Sequence, residues 1–550
     1  MVYQLYTIQL VQGAGYALRA RQVRSESVPL EEFRRGEITD RNGIPLSGGY
    51  YANRVVVFPG LMEQKEYSLQ RLAGIINDNP GDLLEKARHG AFVIDRPLSD
   101  QECRALQKAG LPGVFLLPVY HRYGSDPLAV HITGHLGKIS SMEQFDRLQR
   151  QSDKQYRLGD WVGKSGLEYF YEQELKGTFA KRWARVPVDA RGKVIKGPGL
   201  LVESKGRDPG RRHVVTTVDF RVQRIVEQVM DQHVQNGAVV VMRAGSGDIL
   251  AMASRPEYHP APGRVQSGTS SPAAEAFVNH CTSLYQPGSV FKVVLAAAAL
   301  EKGLVDGSDE FVCEGVNAKP IRCWHEEGHG RISFAEAFAC SCNPAFVEIG
   351  RRLGADTIVE YAGKMGLASQ AIIGYPVPAG SGQDWSLVGK KYNLANSCVG
   401  QGPVLATPVQ VTAMLNVVAS GGVYYTPRLV KGIKDDDGCQ VKSFDGPPPQ
   451  RVLAPQTAAQ LRDLLRSVTA SGVGRLAEVP AWGSAGKTGS AQVAAGSGAV
   501  DAWFAGYVPA EGPRYVITVL VRNGRSGGAT AAPLFREIAG RIMEASGAGF

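Results

Sequence analysis

Ser289 and Lys292 are the first pair of residues whose types and spacing could do chemistry. Pro287 and Gly288 precede the serine and an apolar, alanine-rich run, 293–300, follows the lysine, which predicts a helix that begins near Ser289. Residues three positions apart on a helix share one face. A lysine buried on that face has a lowered pKa and can take the proton of a serine hydroxyl, which is otherwise a weak nucleophile. The pair is therefore a candidate nucleophile and general base.

Two later motifs add hydroxyl, amide and amine groups. Ser341-Cys342-Asn343 ends a helix-like stretch that starts at Phe334, and Lys487-Thr488-Gly489-Ser490 precedes a strand-like run, 502–508. Each motif is common by itself: Ser484 and Lys487 repeat the first spacing, and Lys164-Ser165-Gly166 resembles the third motif. The three motifs in this order form a specific signature.

The elements that must position these motifs lie beyond a change in composition. Short helix-like and strand-like segments fill the chain up to a stretch of Gly, Pro and charge at 196–212, which we interpret as a domain boundary. Beyond it, Phe220–His233 has helical spacing, and two strand pairs follow, 238–242 with 249–253 and 502–508 with 515–521. We predict an α+β fold in which strands from both ends of this region form one sheet, with helices between them.

Composition excludes several classes of protein. With 550 residues, 44% hydrophobic and 21% charged, the chain is typical of a globular protein of two to four domains. The net charge of +9 comes from scattered basic residues, so we expect a solvated surface and no nucleic-acid partner. The start, 1–18, carries too many polar residues for a membrane span and lacks the cleavage site of a signal peptide.

With these motifs the chain resembles the penicillin-binding transpeptidases and their serine β-lactamase relatives, whose signature is Ser-x-x-Lys, Ser-x-Asn and Lys-Thr-Gly. The N-terminal region resembles that of class B penicillin-binding proteins at 35–43, 131–134 and 166–168. Further matches to the transpeptidase domain are 245–251, 328–330, 400–402 and 503–507. Class B members lack a glycosyltransferase domain, and the resemblance covers nearly the whole chain.

The resemblance implies a role for each motif residue. Ser289 would be the nucleophile that attacks the D-Ala-D-Ala carbonyl, with Lys292 as the general base. Ser341 would relay a proton to the leaving D-alanine, and Asn343 would orient Lys292 and the substrate amide. Lys487 would keep Lys292 deprotonated, whereas Thr488 and Ser490 would hold the substrate carboxylate. Gly489 would leave room for the substrate backbone, and the backbone N–H groups of Ser289 and Ser490 would form the oxyanion hole.

The resemblance also implies an architecture and a function. Residues 1–25 would end the anchor region, 26–205 would form an elongated N-terminal pedestal of the dimerisation type, and 213–550 a serine β-lactamase/transpeptidase-like domain with an antiparallel sheet flanked by helices. We expect a cofactor-free D,D-transpeptidase that cross-links peptidoglycan stem peptides and is acylated by β-lactam antibiotics. Its partners would be a glycosyltransferase and other cell-wall synthesis proteins at the extracytoplasmic face of the cell membrane.

Three questions stay open at this point. The family carries a membrane anchor before the region matched by 5–17, so either the anchor lies upstream of Met1 or the protein is released from the membrane. The protein could also be a β-lactam-binding scaffold of low turnover. A D,D-carboxypeptidase or β-lactamase would use water in place of the acceptor amine, although we find no Glu-bearing loop of the class A β-lactamase type.

The cysteines suggest two further hypotheses. The eight cysteines are too sparse for a disulfide scaffold. Cys340 and Cys342 flank Ser341, and we interpret them as small packing residues. The alternative is redox control, in which oxidation of Cys342 with Cys313 or Cys323 would shift Ser341 and Asn343. Cys313, Cys323, His325 and His329 fit no zinc template, so we predict no metal site. Arg35, Asp40 and Arg41 are predicted to form a structural buckle in the pedestal.

Overall fold

The computed structural model describes residues 6–7, 25–94, 96–189, 193–195, 199–264, 274–377, 383–390, 392–493 and 499–547. The predicted end of an anchor region at 1–25 lies almost wholly outside these ranges. Within them, no helix is both long enough and apolar enough to cross a membrane.

Short strands and helices build the N-terminal half. The strands are β1 (Ser25–Pro29), β2 (Ile38–Thr39), β3 (Tyr50–Val57), β4 (Phe92–Val93), β5 (Val114–His121), β6 (Leu136–Lys138), β7 (Trp161–Gly163), β8 (Arg182–Pro187) and β9 (Leu201–Ser204). The helices are α1 (Lys65–Ile76), α2 (Pro80–Arg88), α3 (Asp100–Ala109), α4 (Val130–Thr133), α5 (Met142–Gln151), α6 (Gly166–Phe170) and α7 (Glu172–Leu175).

The central sheet of this half, β4-β3-β5, is covered on both faces. Val55 and Val57 point to one face of β3 and pack against α1, α2 and α3. Val56 points to the other face, toward the sheet β1-β8-β9. This alternation follows from the two-residue period of a strand, which sends successive side chains to opposite faces.

A buried ion cluster ties this half together. Arg35 pairs with Glu168 at 2.9 Å and with Glu172 at 2.7 Å, and Arg122 pairs with Glu168 at 2.6 Å. Asp40 does not pair with Arg35; its carboxylate accepts hydrogen bonds from the backbone N–H groups of Asn42 and Ile44 and from that of Phe220, 180 positions away in the chain. Arg35 and Asp40, two of the three residues predicted to form a buckle, thus make long-range contacts, Arg35 with acids more than 130 positions away and Asp40 with Phe220, but not with each other.

The C-terminal half contains the remaining elements. Its strands are β10 (Arg212–Thr216), β11 (Gly237–Arg243), β12 (Ile249–Arg255), β13 (Glu310–Cys313), β14 (Gly330–Ser333), β15 (Val423–Tyr424), β16 (Val430–Asp435), β17 (Gln440–Ser443), β18 (Gln450–Arg451), β19 (Ala485–Gln492), β20 (Val500–Val508) and β21 (Tyr515–Gly524). Its helices are α8 (Phe220–His233), α9 (Lys292–Glu301), α10 (Phe334–Ala339), α11 (Asn343–Leu353), α12 (Ala355–Lys364), α13 (Asn393–Cys398), α14 (Pro408–Ala419), α15 (Pro455–Ala470) and α16 (Ala532–Gly547).

One antiparallel sheet, in the order β12-β11-β21-β20-β19, forms the middle layer of this half. Val239 and Val241 of β11 face the layer of α8 and α16, whereas Ala238, Val240 and Met242 face the layer that contains α9 and α14. The predicted α+β fold, with strands from both ends of the region in one sheet, is confirmed. The order leaves β19, which carries Lys487 to Ser490, at the edge of the sheet.

Candidate active site

Ser289 lies on a tight turn that packs directly against β19. The turn, Gly288–Phe291, is a 3-10 helix that leads into α9, and the Gly288 N–H donates to the carbonyl of Gly400 at 2.9 Å. Gly288 has a φ of +56°, a conformation that side chains rarely adopt. A Cβ at this position would lie 2.9–3.0 Å from backbone atoms of Ser490. Glycine therefore allows the close approach that brings Ser289 to the strand edge.

Lys292, one turn further on, is completely buried. Its ammonium nitrogen donates to the carbonyl of Ser341 at 2.8 Å, to the hydroxyl of Ser341 at 3.3 Å and to the Oδ1 of Asn343 at 2.8 Å. The ring of Phe346 lies 5.2 Å from the same nitrogen. Burial lowers the pKa of Lys292 to about 8, which is the direction that a general base requires.

Ser341 and Asn343 occupy the junction of two helices. α10 begins with a capping box made by Ser333 and Glu336, and α11 begins at Asn343. Ser341 has a φ of +57°, which is uncommon for a residue with a side chain and costs conformational free energy. Because of this turn, the carbonyl and the hydroxyl of Ser341 both face Lys292. The sequence predicted the motif but not the left-handed backbone.

The third motif supplies a second buried lysine. Lys487 is fully buried and lies 5.7 Å from the ring of Phe338, and burial followed by the charge of Lys292 holds its pKa well below the ordinary value. On the same face of β19, a Cβ at Gly489 would lie 2.5 Å from the Pro287 carbonyl. The Ser490 hydroxyl accepts a hydrogen bond from the N–H of Gly527 at 3.0 Å.

The structure thus brings the three predicted motifs into one site. Lys292, Ser341 and Asn343 are joined by hydrogen bonds, and the turn of Ser289 packs on Gly489 and Ser490. Within the described residues, the hydrogen bonds of the Lys292 amine go to Ser341 and Asn343 and not to Ser289. Sequence analysis missed the aromatic rings that cover the two lysines, since no local pattern links those phenylalanines to a charge.

The two other motif matches lie outside this arrangement. Ser484 is buried, and its hydroxyl donates to the Ala477 carbonyl at 2.8 Å, so it does not pair with Lys487. Lys164 belongs to the N-terminal half and donates to Gln144 at 2.8 Å. These contacts are structural.

Behind Ser341 and Asn343 lies a cluster that the spacing did not predict. The ligand atoms of Cys313, Cys323, His329 and Cys342 all lie within 4.8 Å of one another. His325, which the sequence grouped with the first three, is not part of it. A hydrogen bond between Cys342 and Cys323 lowers the pKa of Cys323 and raises that of Cys342. All eight cysteines are free thiols.

Comparisons with known proteins identify the family. The family described as "Penicillin binding protein transpeptidase domain" matches residues 237–540, which is more than half of the chain. The family described as "Penicillin-binding Protein dimerisation domain" matches residues 31–208. Stage V sporulation protein D of Bacillus subtilis (strain 168) is 30% identical over 567 aligned positions, which cover 98% of this chain and 82% of that protein. The chain belongs to the class B penicillin-binding proteins.

Two further proteins resemble this class B penicillin-binding protein. The peptidoglycan D,D-transpeptidase MrdA of Escherichia coli (strain K12) is 26% identical over 471 positions, 79% of this chain and 72% of that protein. A chain from a peptidoglycan synthase complex that coordinates polymerization and crosslinking has the same fold, with a TM-score of 0.70 at 24% identity over 98% of this chain and 95% of that one. The family and its transpeptidase domain give this enzyme the function of peptidoglycan D,D-transpeptidation.

Proposed function

We propose that this penicillin-binding protein cross-links stem peptides through an acyl-enzyme on Ser289, with Lys292 as the general base. Lys292 takes the proton of the Ser289 hydroxyl, whose oxygen adds to the carbonyl of the penultimate D-alanine. The peptide bond then breaks and terminal D-alanine leaves. An amine of a second stem peptide attacks the ester, the bond between the acyl group and the Ser289 oxygen breaks, and the serine hydroxyl is restored as the new amide forms. The observation that carries this proposal is the buried Lys292, one turn from Ser289 and hydrogen-bonded to Ser341 and Asn343.

The other motif residues act around this pair. Ser341 is the route by which the proton on Lys292 reaches the leaving nitrogen, because its hydroxyl lies 3.3 Å from that amine. Asn343 holds the lysine in place through its Oδ1. Lys487, at the edge strand, lies close enough to Lys292 for their charges to repel, so the site favours a state in which only one of the two amines is protonated.

The position of β19 at the edge of the sheet suits an extended peptide. A substrate strand added there would be held by main-chain hydrogen bonds, with its carboxylate near Thr488 and Ser490. Gly489 leaves space for the turn that carries Ser289, since a Cβ there would lie 2.5 Å from the Pro287 carbonyl. The N–H groups of Ser289 and Ser490 would hold the oxyanion, each worth roughly 3–4 kcal/mol in comparable sites. A β-lactam that mimics this peptide would acylate the same serine.

The partners and the location follow from the same family assignment. We assign residues 26–205 to a pedestal and 213–550 to the transpeptidase domain, and we expect the pedestal to contact other cell-wall synthesis proteins. The similarity to a chain of a complex that couples polymerization to crosslinking supports a polymerising glycosyltransferase as one partner. Its substrate would place the enzyme at the extracytoplasmic face of the cell membrane.

The chain offers a matched pair of variants for testing the nucleophile. After incubation with penicillin, mass spectrometry of the wild type should find one penicilloyl adduct on the peptide that contains Ser289. The adduct should be absent from Ser289→Ala and present in Ser484→Ala, whose serine has the same spacing to a lysine. An adduct that persists in Ser289→Ala would contradict the assignment.

The lifetime of the adduct distinguishes the alternative functions. A transpeptidase should keep the penicilloyl group for minutes to hours or longer, whereas rapid release would identify a β-lactamase. With a stem-peptide donor, formation of a product that contains an added acceptor amine supports transpeptidation. Hydrolysis alone would identify a D,D-carboxypeptidase, and labelling without turnover of the donor would identify a scaffold.

A further inference from the structure

A cavity of about 850 Å³ lies where the pedestal meets the transpeptidase domain. Residues of β1, β3 and β5 line it from the pedestal, and residues 259–264, which follow β12, line it from the transpeptidase domain. The two domains are joined here by a hydrogen bond from the Nε2 of His259 to the carbonyl of Gly124, at 3.1 Å. A cavity of this volume is large enough for a small organic ligand.

A buried arginine, Arg54, lines this cavity. Its side chain leaves β3 on the same face as Val56 and is only 3% exposed. Among the described residues it forms no ion pair, its Nε has no hydrogen-bond partner, and its Nη1 makes one long contact of 3.5 Å with the carbonyl of Asn53. Burial of a charge without a partner is costly, so this guanidinium would gain from an anion in the cavity.

Two further side chains of the cavity can bind an anion. His121 lies on β5 opposite Tyr50, and its buried Nε2 has no hydrogen-bond partner among the described residues. No hydrogen bond there fixes the other ring nitrogen either, which lies 3.5 Å from the Glu32 carboxylate, so Nε2 can carry a proton and donate it to a ligand. Arg264 is exposed and forms no ion pair within the described part of the chain.

The acidic residues of the cavity do not neutralise the two arginines. Glu31 is bound by Arg211, which donates to its two carboxylate oxygens at 2.8 and 3.1 Å. Glu32 accepts a hydrogen bond of 3.4 Å from the backbone N–H of Arg122 and makes no ion pair with either arginine of the cavity. Two unpaired arginines therefore face one glutamate that no arginine binds, and the cavity favours a negatively charged occupant.

Aromatic rings form another part of the lining. The ring of Phe33 meets that of Trp161 edge to face at 5.6 Å and that of Tyr123 at 6.4 Å. Such rings offer flat apolar surface to a ligand, whereas a guanidinium binds carboxylate or phosphate through two parallel hydrogen bonds. We propose that this cavity binds a small ligand in which a carboxylate or phosphate is joined to a flat apolar group, with the oxyanion on Arg54. This site is independent of the proposed function of Ser289.

Calorimetric titration of the full chain with small probes tests the proposal. Benzoate and phenyl phosphate should each bind at one site per molecule, and the tighter of the two identifies the preferred oxyanion. Benzamide, which has the same ring but no charge, should bind at least about 10-fold more weakly, because it cannot form charge-assisted hydrogen bonds with Arg54. The proposal is wrong if neither anion binds or if benzamide binds equally well.

Matched arginine variants locate the probe. Arg54→Met should weaken binding of the preferred anion by about 10- to 10²-fold. Arg104→Met removes an exposed arginine of α3 outside the cavity and should bind like the wild type. Arg264→Met should have a smaller effect than Arg54→Met, because water and salt screen an exposed charge. Wild-type affinity in a folded Arg54→Met variant would contradict the assignment.

A crystal of the wild type with 4-bromobenzoate decides the question if Arg54→Met does not fold. The anomalous signal of the bromine should lie among the aromatic rings of the cavity, with the carboxylate on Arg54. A bromine found only at other places on the protein would overturn the proposal.

Acylation by penicillin separates this cavity from the active site, which is also expected to hold a carboxylate. Protein acylated beforehand should bind the preferred anion with unchanged affinity. Loss of binding after acylation would place the probe in the active site and overturn the proposal. If penicillin forms no adduct, the proposed function fails, whereas the comparison of Arg54→Met with Arg104→Met still decides whether the cavity binds the anion.

Discussion

The two halves of the molecule bury charge in opposite ways. In the pedestal, Arg35 and Arg122 are buried with Glu168 and Glu172, and every charge of this cluster has a close partner of opposite sign. In the transpeptidase domain, Lys292 and Lys487 are fully buried, and among the described residues neither forms an ion pair with a carboxylate. Both clusters are desolvated, but only the first is neutralised.

The pKa values follow this difference. Burial lowers the pKa of Arg35, but the charges of Glu172 and Glu168 outweigh it and raise the pKa overall. Burial raises the pKa of Glu168, and the charges of Arg122 and Arg35 outweigh it in turn. For Lys292 and Lys487 burial prevails, so both amines lose their protons more readily. Paired burial keeps the charges permanent, which suits a buckle. Unpaired burial raises the fraction of neutral amine that can accept a proton, which suits catalysis.

Replacing the base should produce the largest change in activity. In Lys292→Met, penicillin acylation should fall by about 10²–10⁴-fold, the contribution of a positioned general base. The unfolding temperature should change little, because the loss of three hydrogen bonds is offset by relief from burying an amine. Stopped-flow acylation and calorimetry measure the two effects. Lys302→Met, at the exposed end of the same helix, is the control, and wild-type acylation by Lys292→Met would contradict the assignment.

Replacing a buried, ion-paired cation of the pedestal by methionine should lower stability and leave the acylation rate unchanged. Arg35→Met leaves Glu168 and Glu172 buried with fewer partners, and breaking a buried pair in this way costs about 3–5 kcal/mol. Urea denaturation, followed by a probe in the pedestal, should show this loss. The folded fraction should still react with penicillin at the wild-type rate, because Arg35 forms its ion pairs within the pedestal and Ser289 lies in the transpeptidase domain. An unchanged denaturation midpoint would show that the cluster does not stabilise the pedestal.

The acylation rate should depend on pH through the protonation of Lys292, the buried lysine without a carboxylate partner. Because the pKa of Lys292 is about 8, its neutral fraction is about one-tenth at pH 7 and about one-hundredth at pH 6. The acylation rate should therefore rise about tenfold between these values and level off above pH ~8. Lys487 and the thiols of Cys323, Cys340, Cys342 and Cys398 surround the amine, and the thiols raise its pKa when ionised. A flat profile would contradict general-base catalysis by Lys292.

Sequence predicted those features that depend on neighbouring residues. The helix predicted at Phe220–His233 has those same bounds, and short apolar runs predicted the strands of the central sheet. The Ser289 and Lys292 pair was identified for the same reason, since three positions along a helix fix a shared face. The order of the three motifs along the chain then supplied a resemblance to a known family that the spacing of one motif could not.

Features that depend on contacts between distant segments were not predicted. Arg35 meets Glu172 across 137 positions, and Cys313 meets Cys342 by way of a loop whose course no periodicity describes. The spacing did not predict this cluster because its four side chains come from separate elements, not from one compact motif. Ser341 appeared in the sequence as a hydroxyl, but its left-handed backbone depends on how α10 and α11 are packed.

An exposed ion pair on a catalytic helix should have the smallest effect. Glu348 and Arg352 lie one turn apart on α11, the helix that begins at Asn343, and their side chains are 46% and 45% exposed. Because water and salt screen such a pair, Glu348→Gln should change the free energy of unfolding by less than about 0.5 kcal/mol. Acylation should stay at the wild-type rate. A larger change in urea denaturation would mean that the effect of a charge on stability depends on its position on the helix and not on its burial. A small change would support the view that Lys292 differs from the paired and the exposed cations because it is buried without a carboxylate partner.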